Sequence, residues 1–308
     1  MKTPMLARTA LTLLSAGALT AGAAACAGTS NAATDDPAGA EVTHAERSDA
    51  SRALVLQALT ALFVDFDAEA AAPLLRDDYI QHNPGVPTGA QPVLDFLPAL
   101  EDSGLSATVH RVIADDDMVV LHSTYENADL FGGETLVAFD VFRVQDGQLA
   151  EHWDNLQPPR AETASGRSMT DGPTEVTDLE QTEANRALIE DFTQTVLLGG
   201  AFDRLPDYIV AAPGAYHQHN PDIADGLDGL GAGFAALAEA GQAITYTEVH
   251  AIVAEGNFVF AMSEGTMGET PTAFFDLFRI EDGMIVEHWD TIDAIPPNDE
   301  MAHDNGKF

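Results

Sequence analysis

Two short phrases carry most of the polar chemistry in this chain, and each occurs twice. QHNP stands at 81–84 and again at 218–221, and EHWD at 151–154 and again at 287–290. Each EHWD closes a longer repeated phrase, AFDVFRVQDGQLAEHWD first and FFDLFRIEDGMIVEHWD second. The His and Asp residues at matching places that could do chemistry are His82 and His219, His110 and His250, Asp140 and Asp276, His152 and His288, and Asp154 and Asp290. A carboxylate among Phe and Val side chains loses hydration, and its pKa rises toward neutrality. That is how Asp becomes a general acid or base. One Asp with two or three His around a cavity would suit proton transfer. The same groups could instead stay structural: His152 and Asp154 could bond each other to hold the hairpin, and His82 could cap the helix after it. Glu151 is expected to face solvent. His122 has Met262 as its counterpart and belongs to the first copy alone. His and Asp also suit a divalent ion, but HExxH and CxxC spacings do not occur and the one HxH is His217-Gln218-His219, so no metal and no cofactor are expected. P-loop, GxGxxG and GxSxG motifs are also missing from the sequence.

Strand alternation sets which of these groups share a face. Asp140 goes with Ala138, Phe142 and Val144, while Phe139, Val141 and Arg143 point the other way. His152 and Asp154 lie two apart on the next strand and share a face, with Trp153 behind. Asp146 and Gly147, and again Asp282 and Gly283, form hairpin turns that make these strands antiparallel neighbours. His110 lies on another strand. His82 lies in the loop before a helix that can cover the cavity mouth.

The elements around these groups repeat as well. VHRVIADDDMVV (109–120) recurs as VHAIVAEGNFVF (249–260), between the other two phrases and in the same order. A repeat this long is a duplicated domain; solenoid repeats run about 20–50 residues. Each copy opens with an amphipathic helix, SRALVLQALTALF (51–63) and EANRALIEDFTQTVL (183–197). A second short helix, the QHNP turn and a third helix follow, then strands over 108–114, 118–125, 135–144 and 149–155 in the first copy. Helices followed by a meander predict an α+β domain, a curved sheet with helices on one face. The expected domains are 47–158 and 183–295, joined by a Thr/Ser/Gly/Pro-rich linker over 159–182 and ended by a loose tail over 296–308.

Bulk composition narrows the function classes. The chain has 308 residues, 50 acids against 13 bases and a net charge of −37. Such a surface repels nucleic acids and anionic lipid. The first 25 residues read as an export signal, with Lys2 and Arg8 before the small, apolar run at 10–25. Cys26, the single cysteine, follows at once and resembles the lipidation cysteine of a bacterial lipoprotein; simple cleavage after Ala25 is the competing reading. Residues 26–46 read as a flexible tether. The expected location is the outer face of the cell membrane, held there only by the lipid on Cys26, or otherwise the medium.

The order helix, helix, QHNP turn, helix and meander, with YIQHNP (79–84), HRVIADDDMVVLH (110–122) and AFDVFRVQDGQLAEHWD (138–154), resembles the SnoaL-like branch of the NTF2-like superfamily. YHQHNP, HAIVAEGNFVF and FFDLFRIEDGMIVEHWD carry the resemblance in the second copy. The subgroup is described as predicted aldol-condensation-catalysing, polyketide-cyclase-like proteins. The resemblance implies two tandem cone-shaped α+β barrels, each a bent antiparallel sheet wrapped round a pocket closed by helices. It implies cofactor-free proton movement next to a carbonyl by an Asp/His pair, with Asp140 and Asp276 as acid/base groups and His110 and His250 as their partners. His82, His152, Asp154, His219, His288 and Asp290 would line the pocket for a small-molecule ligand. Such domains pair through their sheets, so two fused copies would form an intramolecular pseudo-dimer. A small-ligand binder without chemistry is the alternative reading.

Overall fold

The computed structural model of the protein describes residues 42–308; the expected leader, Cys26 and most of the expected tether lie outside the described residues. The first domain runs α1 (His44–Phe63), α2 (Ala68–Ala71), β1 (Leu75–Gln81), α3 (Ala90–Ser103), β2 (Ser106–Asp115), β3 (Met118–Glu126), β4 (Thr135–Gln145) and β5 (Gln148–Gln157). The second runs α4 (Thr182–Phe192), β6 (His217–Gln218), α5 (Gly226–Glu239), β7 (Ile244–Glu255), β8 (Phe258–Met267), β9 (Thr270–Glu281) and β10 (Met284–Ala294). A wider π turn, Thr193–Leu198, prolongs α4.

Helix α1 begins at His44, ahead of the expected domain start at 47, because Thr43 caps it. Thr43 Oγ1 accepts from the Glu46 amide at 3.2 Å, and the Glu46 carboxylate accepts from the Thr43 amide at 2.8 Å. Two orphan donors of the first turn are thereby satisfied. Thr43→Ala should lower stability by about 0.5–2 kcal/mol in urea unfolding.

Each sheet has five strands, ordered β1-β5-β4-β3-β2 and β6-β10-β9-β8-β7. The last four strands of each domain form the antiparallel meander expected from sequence, and β1 and β6 add on in parallel beside β5 and β10. Alternation along β4 then sorts the two faces. Ala138 and Phe142 join Val55, Leu59, Leu62, Leu97 and Leu100 under the helices. Phe139 and Val141 point the opposite way, into a cluster with Trp153 and with Phe260, Phe275, Leu277 and Trp289 of the second domain. The outer faces of the two sheets are packed on each other, and the domains pair within one chain.

Polar contacts across this seam follow an approximate twofold pattern. Arg52 of α1 pairs with Glu255 of β7, and Arg186 of α4 pairs with Asp115 of β2 at 2.8 Å. Asn155 Nδ2 donates to the carbonyls of Thr291 and Ala273 at 2.8 and 3.2 Å.

The tail, expected to be loose, is bound, and so is the linker. Linker carbonyls of Thr170, Asp171 and Pro173 accept from the Arg111 guanidinium at 3.1, 2.7 and 2.8 Å. The tail reaches back to the first domain, where the Ala302 amide donates to the Pro84 carbonyl at 2.8 Å. The linker makes the matching contact in the second domain, from the Ala164 amide to the Pro221 carbonyl at 2.9 Å. Each domain's C-terminal extension therefore clasps the QHNP loop of the other. Among the described residues no helix is long and apolar enough to cross a membrane.

Candidate active site

The parallel strand β1 brings Gln81 and Asn83 beside β5, and these two residues orient the polar floor of the first cavity. Gln81 Oε1 accepts from the amides of His82 and Asn83, each at 2.9 Å, which fixes the oxygen's position. The same oxygen lies 2.9 Å from His152 Nδ1, so Nδ1 carries a proton and donates it there. His152 Nε2 then faces Asp140 Oδ1 at 3.3 Å, and one proton is shared between them. Tyr125 donates its hydroxyl to the other oxygen, Asp140 Oδ2, at 2.9 Å.

Asp154 sits directly across the strand pair from Asp140. Asn83 Nδ2 donates to Asp154 Oδ2 at 2.5 Å. Its second oxygen, Oδ1, is buried and has no hydrogen-bond partner. An unsatisfied buried carboxylate oxygen is costly, and here it borders a cavity. Leu62, Phe96, Leu97, Tyr125 and Leu156 form the apolar wall of that cavity, and Asp140, His152 and Asp154 its polar floor. The cavity volume is about 70 Å³, below the few hundred Å³ usual for drug-sized ligands, so only a small molecule suits it.

The second domain repeats this arrangement. Gln218 Oε1 accepts from the Asn220 amide and from His288 Nδ1, both at 2.9 Å. His288 Nε2 faces Asp276 Oδ1 at 2.9 Å. Asn220 Nδ2 donates to Asp290 Oδ2 at 2.7 Å, and Asp290 Oδ1 is again buried and unpartnered. The cavity there has a volume of about 50 Å³. The phenol that reaches Asp276, at 3.3 Å, is Tyr246 of β7. Gly265 stands at the position of Tyr125, and a Cβ there would overlap the Thr245 carbonyl.

Burial governs the protonation of these groups. It pushes Asp140 up, against the opposing pull of the His152 bond. Burial, with the neighbouring Asp276 charge adding to it, pushes Asp290 up to about 6. Burial alone would lower His288, but the bond to Asp276 and the charges of Asp290 and Asp276 outweigh it, and the net shift is upward. Tyr125 and Tyr246 are driven well up, by burial first and then by the carboxylates, so both phenols stay protonated donors.

Four expected site residues lie elsewhere. His110, expected as the partner of Asp140, bonds Thr124 Oγ1 at 2.8 Å and packs edge-on against His122 on the opposite face of the sheet. His250, expected beside Asp276, stacks on Phe308 with ring centres 4.1 Å apart, also on the outer face. The dyad histidines are His152 and His288 instead. His82 and His219, expected in the pocket, stack on Trp153 and Trp289 and bond Glu151 and Glu287 at 2.9 and 2.8 Å. Glu151, expected in solvent, is held by His82 and by Arg143 at 2.7 Å. His122 is fully buried against Phe139, and burial, with Arg111 beside it, drives its pKa well down. Gln81, Asn83 and their counterparts were missed as site residues although they stand inside the QHNP repeat. The two phenols come from non-equivalent strands, so a search for duplicated residues could not find them.

Asp140, His152 and Asp154, and likewise Asp276, His288 and Asp290, have donor atoms within 4.8 Å of one another. Each trio could hold a divalent ion, with Gln81 or Gln218 orienting the histidine as outer partners of metal ligands do.

The SnoaL-like domain family matches the sequence at 56–152 and again at 189–288. The chain belongs to this family. It carries two tandem SnoaL-like domains, each an α+β domain built on a five-stranded sheet. Among curated proteins none matches. Solved structures similar to it include TsrD from Streptomyces laurentii, 21% identical over 35% of this chain and 89% of that one, with a TM-score of 0.31. An NTF2-like protein of unknown function from Mesorhizobium loti is 18% identical over 36% of this chain and 94% of its own, with a TM-score of 0.32. An LEH-like epoxide hydrolase from M. tuberculosis is 21% identical over 36% of this chain and 84% of its own, with a TM-score of 0.30. Each overlap spans about one SnoaL-like domain.

Proposed function

We propose that each SnoaL-like domain is a cofactor-independent acid/base site of the lyase, isomerase or cyclase type, acting on a small apolar carbonyl compound. The observation that carries this reading is the buried, unpartnered oxygen of Asp154, and of Asp290, beside an Asp–His pair in an apolar cavity. Both oxygens of Asp140 are engaged, by His152 and Tyr125, whereas Asp154 keeps one free lone-pair face. We therefore assign proton abstraction to Asp154 and Asp290. Removing a proton next to a carbonyl creates an enolate, whose oxygen needs donors already in place. Tyr125 and the proton shared by His152 and Asp140 are the donors nearest to hand, with Tyr246 and the His288–Asp276 pair in the second domain. The proton taken by Asp154 or Asp290 can return to another carbon of the enolate, which completes an isomerisation, or pass to the alkoxide left when the enolate carbon adds to a second carbonyl; either way the carboxylate is restored without any cofactor.

The test is exchange of the α-protons of 2-tetralone, a small apolar ketone, in D₂O followed by ¹H NMR. The expected result is a saturable acceleration over buffer that survives a metal chelator. Mutual saturation of Asp140, His152 and Tyr125 favours a second reading, a binder that performs no chemistry. Tight binding by calorimetry with no exchange would establish that reading in place of the first. Export and a lipid on Cys26 belong to the same proposal, supported by the apolar run at 10–25 directly before that cysteine. Cys26→Ala should release the chain from the membrane fraction into the medium.

A further inference from the structure

Each polar group on the two cavity floors is held from behind by one hydrogen bond and turns its other donor atom inward. In the first domain Tyr125 holds Asp140 by Oδ2, Gln81 holds His152 by Nδ1, and Asn83 holds Asp154 by Oδ2. That leaves Asp140 Oδ1, His152 Nε2 and Asp154 Oδ1. In the second domain Tyr246, Gln218 and Asn220 hold Asp276, His288 and Asp290 in turn. All six floor residues are more than nine-tenths buried.

Gln81 Oε1 is fixed as an acceptor by two backbone amides, so a neutral His152 keeps its proton on Nδ1 and its lone pair on Nε2. That lone pair faces a carboxylate oxygen across 3.3 Å, and the one on His288 does so across 2.9 Å. Two buried acceptors this close need a cation between them, either a proton or a metal ion. Asp154 Oδ1 and Asp290 Oδ1 add a third acceptor, buried, unpartnered and bordering the same cavity. A shared proton leaves that oxygen unsatisfied, whereas a divalent ion engages all three donor atoms. Outer bonds that fix the histidine tautomer and orient the carboxylates are what metal sites supply to their ligands. A third trio, Glu248, His250 and Glu264, lies at the surface, with His250 Nε2 3.6 Å from the Glu264 carboxylate, and provides the contrast.

We propose that each buried trio, Asp140–His152–Asp154 and Asp276–His288–Asp290, is a binding site for a divalent transition-metal ion, and that the ion and the acid/base reaction exclude each other. One imidazole nitrogen and two carboxylate oxygens suit Zn²⁺, Mn²⁺, Fe²⁺ or Co²⁺ better than Ca²⁺ or Mg²⁺, which take oxygen ligands. The ion takes the place of the shared proton and occupies the oxygen assigned to proton abstraction, so the metal-free site is the working one. This exclusion rests on the acid/base reading above; the binding does not. Lys307, the single lysine among the described residues, lies 3.9 Å from Asp154 Oδ1. Its charge repels an ion in the first domain, so the second domain should fill first.

The experiment uses the full chain, stripped with a chelator and titrated with Co²⁺ in excess Mg²⁺, which screens the acidic surface. Visible absorption should report two bound Co²⁺ per chain. Asp290→Asn should remove the tighter one, Asp154→Asn the weaker one, and the two together the whole band, while His250→Ala should leave it intact. Gln81→Ala should weaken the first site by about 10–100-fold. Proton NMR of the unsubstituted Co²⁺ form should show one hyperfine-shifted, slowly exchanging imidazole N–H per site, the Nδ1 proton held by Gln81 or Gln218. Zn²⁺ at matching occupancy should suppress 2-tetralone exchange, and a chelator should restore it. Absence of the band or of the shifted N–H signals, or a band that persists in the double Asp→Asn chain or vanishes in His250→Ala, overturns the proposed sites. Undiminished exchange in a metal-loaded chain overturns the exclusion. If the metal-free chain exchanges no protons, the acid/base reading fails separately, and the cobalt spectra still decide the metal sites.

Discussion

Asp154→Asn combined with Asp290→Asn should cut the exchange rate by about 10²–10⁴-fold, the usual contribution of a placed general base. Asp290→Asn alone should also make the protein more stable at pH 7.5. The unfolded chain holds this carboxyl at its ordinary value of 3.8, and the folded chain, through burial and Asp276, at about 6. Between those values the folded state binds a proton that the unfolded state has released. Stability conferred by this group therefore falls as pH climbs through that window, and the loss is complete above about 6. An amide carries no charge to bury, and its oxygen can still accept from Asn220. The expected gain is about 1–3 kcal/mol at pH 7.5, shrinking toward nothing near pH 4. Urea unfolding at both values checks it. A variant equally or less stable at pH 7.5 would mean that Asp290 is not a charge kept buried at a cost, and the base assignment would lose its physical basis. Opposite signs for rate and stability are what a strained functional group produces.

The parts of the site readable from sequence are those fixed by short-range periodicity. Alternation along β4 and β5 placed Asp140, His152 and Asp154 on one face, and the turn at Asp146 and Gly147 made those strands neighbours. Neither step needs tertiary information. His110 and His250 were placed at the site by the family resemblance, and alternation would not have corrected that. Counting back from Val112 and Ala114, which pack under the helices, strict alternation puts His110 in the cavity. A bulge between Val109 and Arg111 inserts one residue and turns His110 outward, and a bulge between Val249 and Ala251 does so for His250. Single-residue irregularities of this kind flip a face and leave little trace in composition.

Strand β1 was also invisible. LRDDYIQ lacks clean alternation, and its partner β5 lies far along the chain. Without that strand, QHNP read as a turn, and Gln81 and Asn83 could not be seen to reach the carboxylates. The linker and tail failed for a different reason. Their binding runs largely through backbone groups, such as the carbonyls that receive Arg111 and His82, and a carbonyl has no residue type to read.

Trp289→Ala should cost about 3–5 kcal/mol of stability, the usual loss for a large buried aromatic. The repeated tryptophan points away from the cavity in both domains and belongs to the seam between the sheets. Trp289 is fully buried, stacks on His219 with ring centres 4.6 Å apart and carries the Arg111 guanidinium 4.1 Å above its ring. Its Nε1 donates to the Asp171 carbonyl at 2.9 Å. Truncation would remove the ring and leave that buried guanidinium over a void, a contact worth about 2 kcal/mol where water is excluded. Trp153 occupies the equivalent place under weaker conditions. It is 8% exposed, its ring centre is 5.0 Å from that of His82, and its Nε1 has no partner. Ala251 stands at the position of Arg111, so no cation covers Trp153. Trp153→Ala should therefore cost at least about 1 kcal/mol less than Trp289→Ala. Urea midpoints of the two variants give the comparison, and equal losses would mean that Arg111 and the linker carbonyls contribute nothing to the seam. Because both indoles lie on the far side of the sheets from the carboxylates, the folded fraction of either variant should keep its exchange activity. A variant that stays folded but loses exchange would mean that pairing of the sheets also sets the cavity geometry.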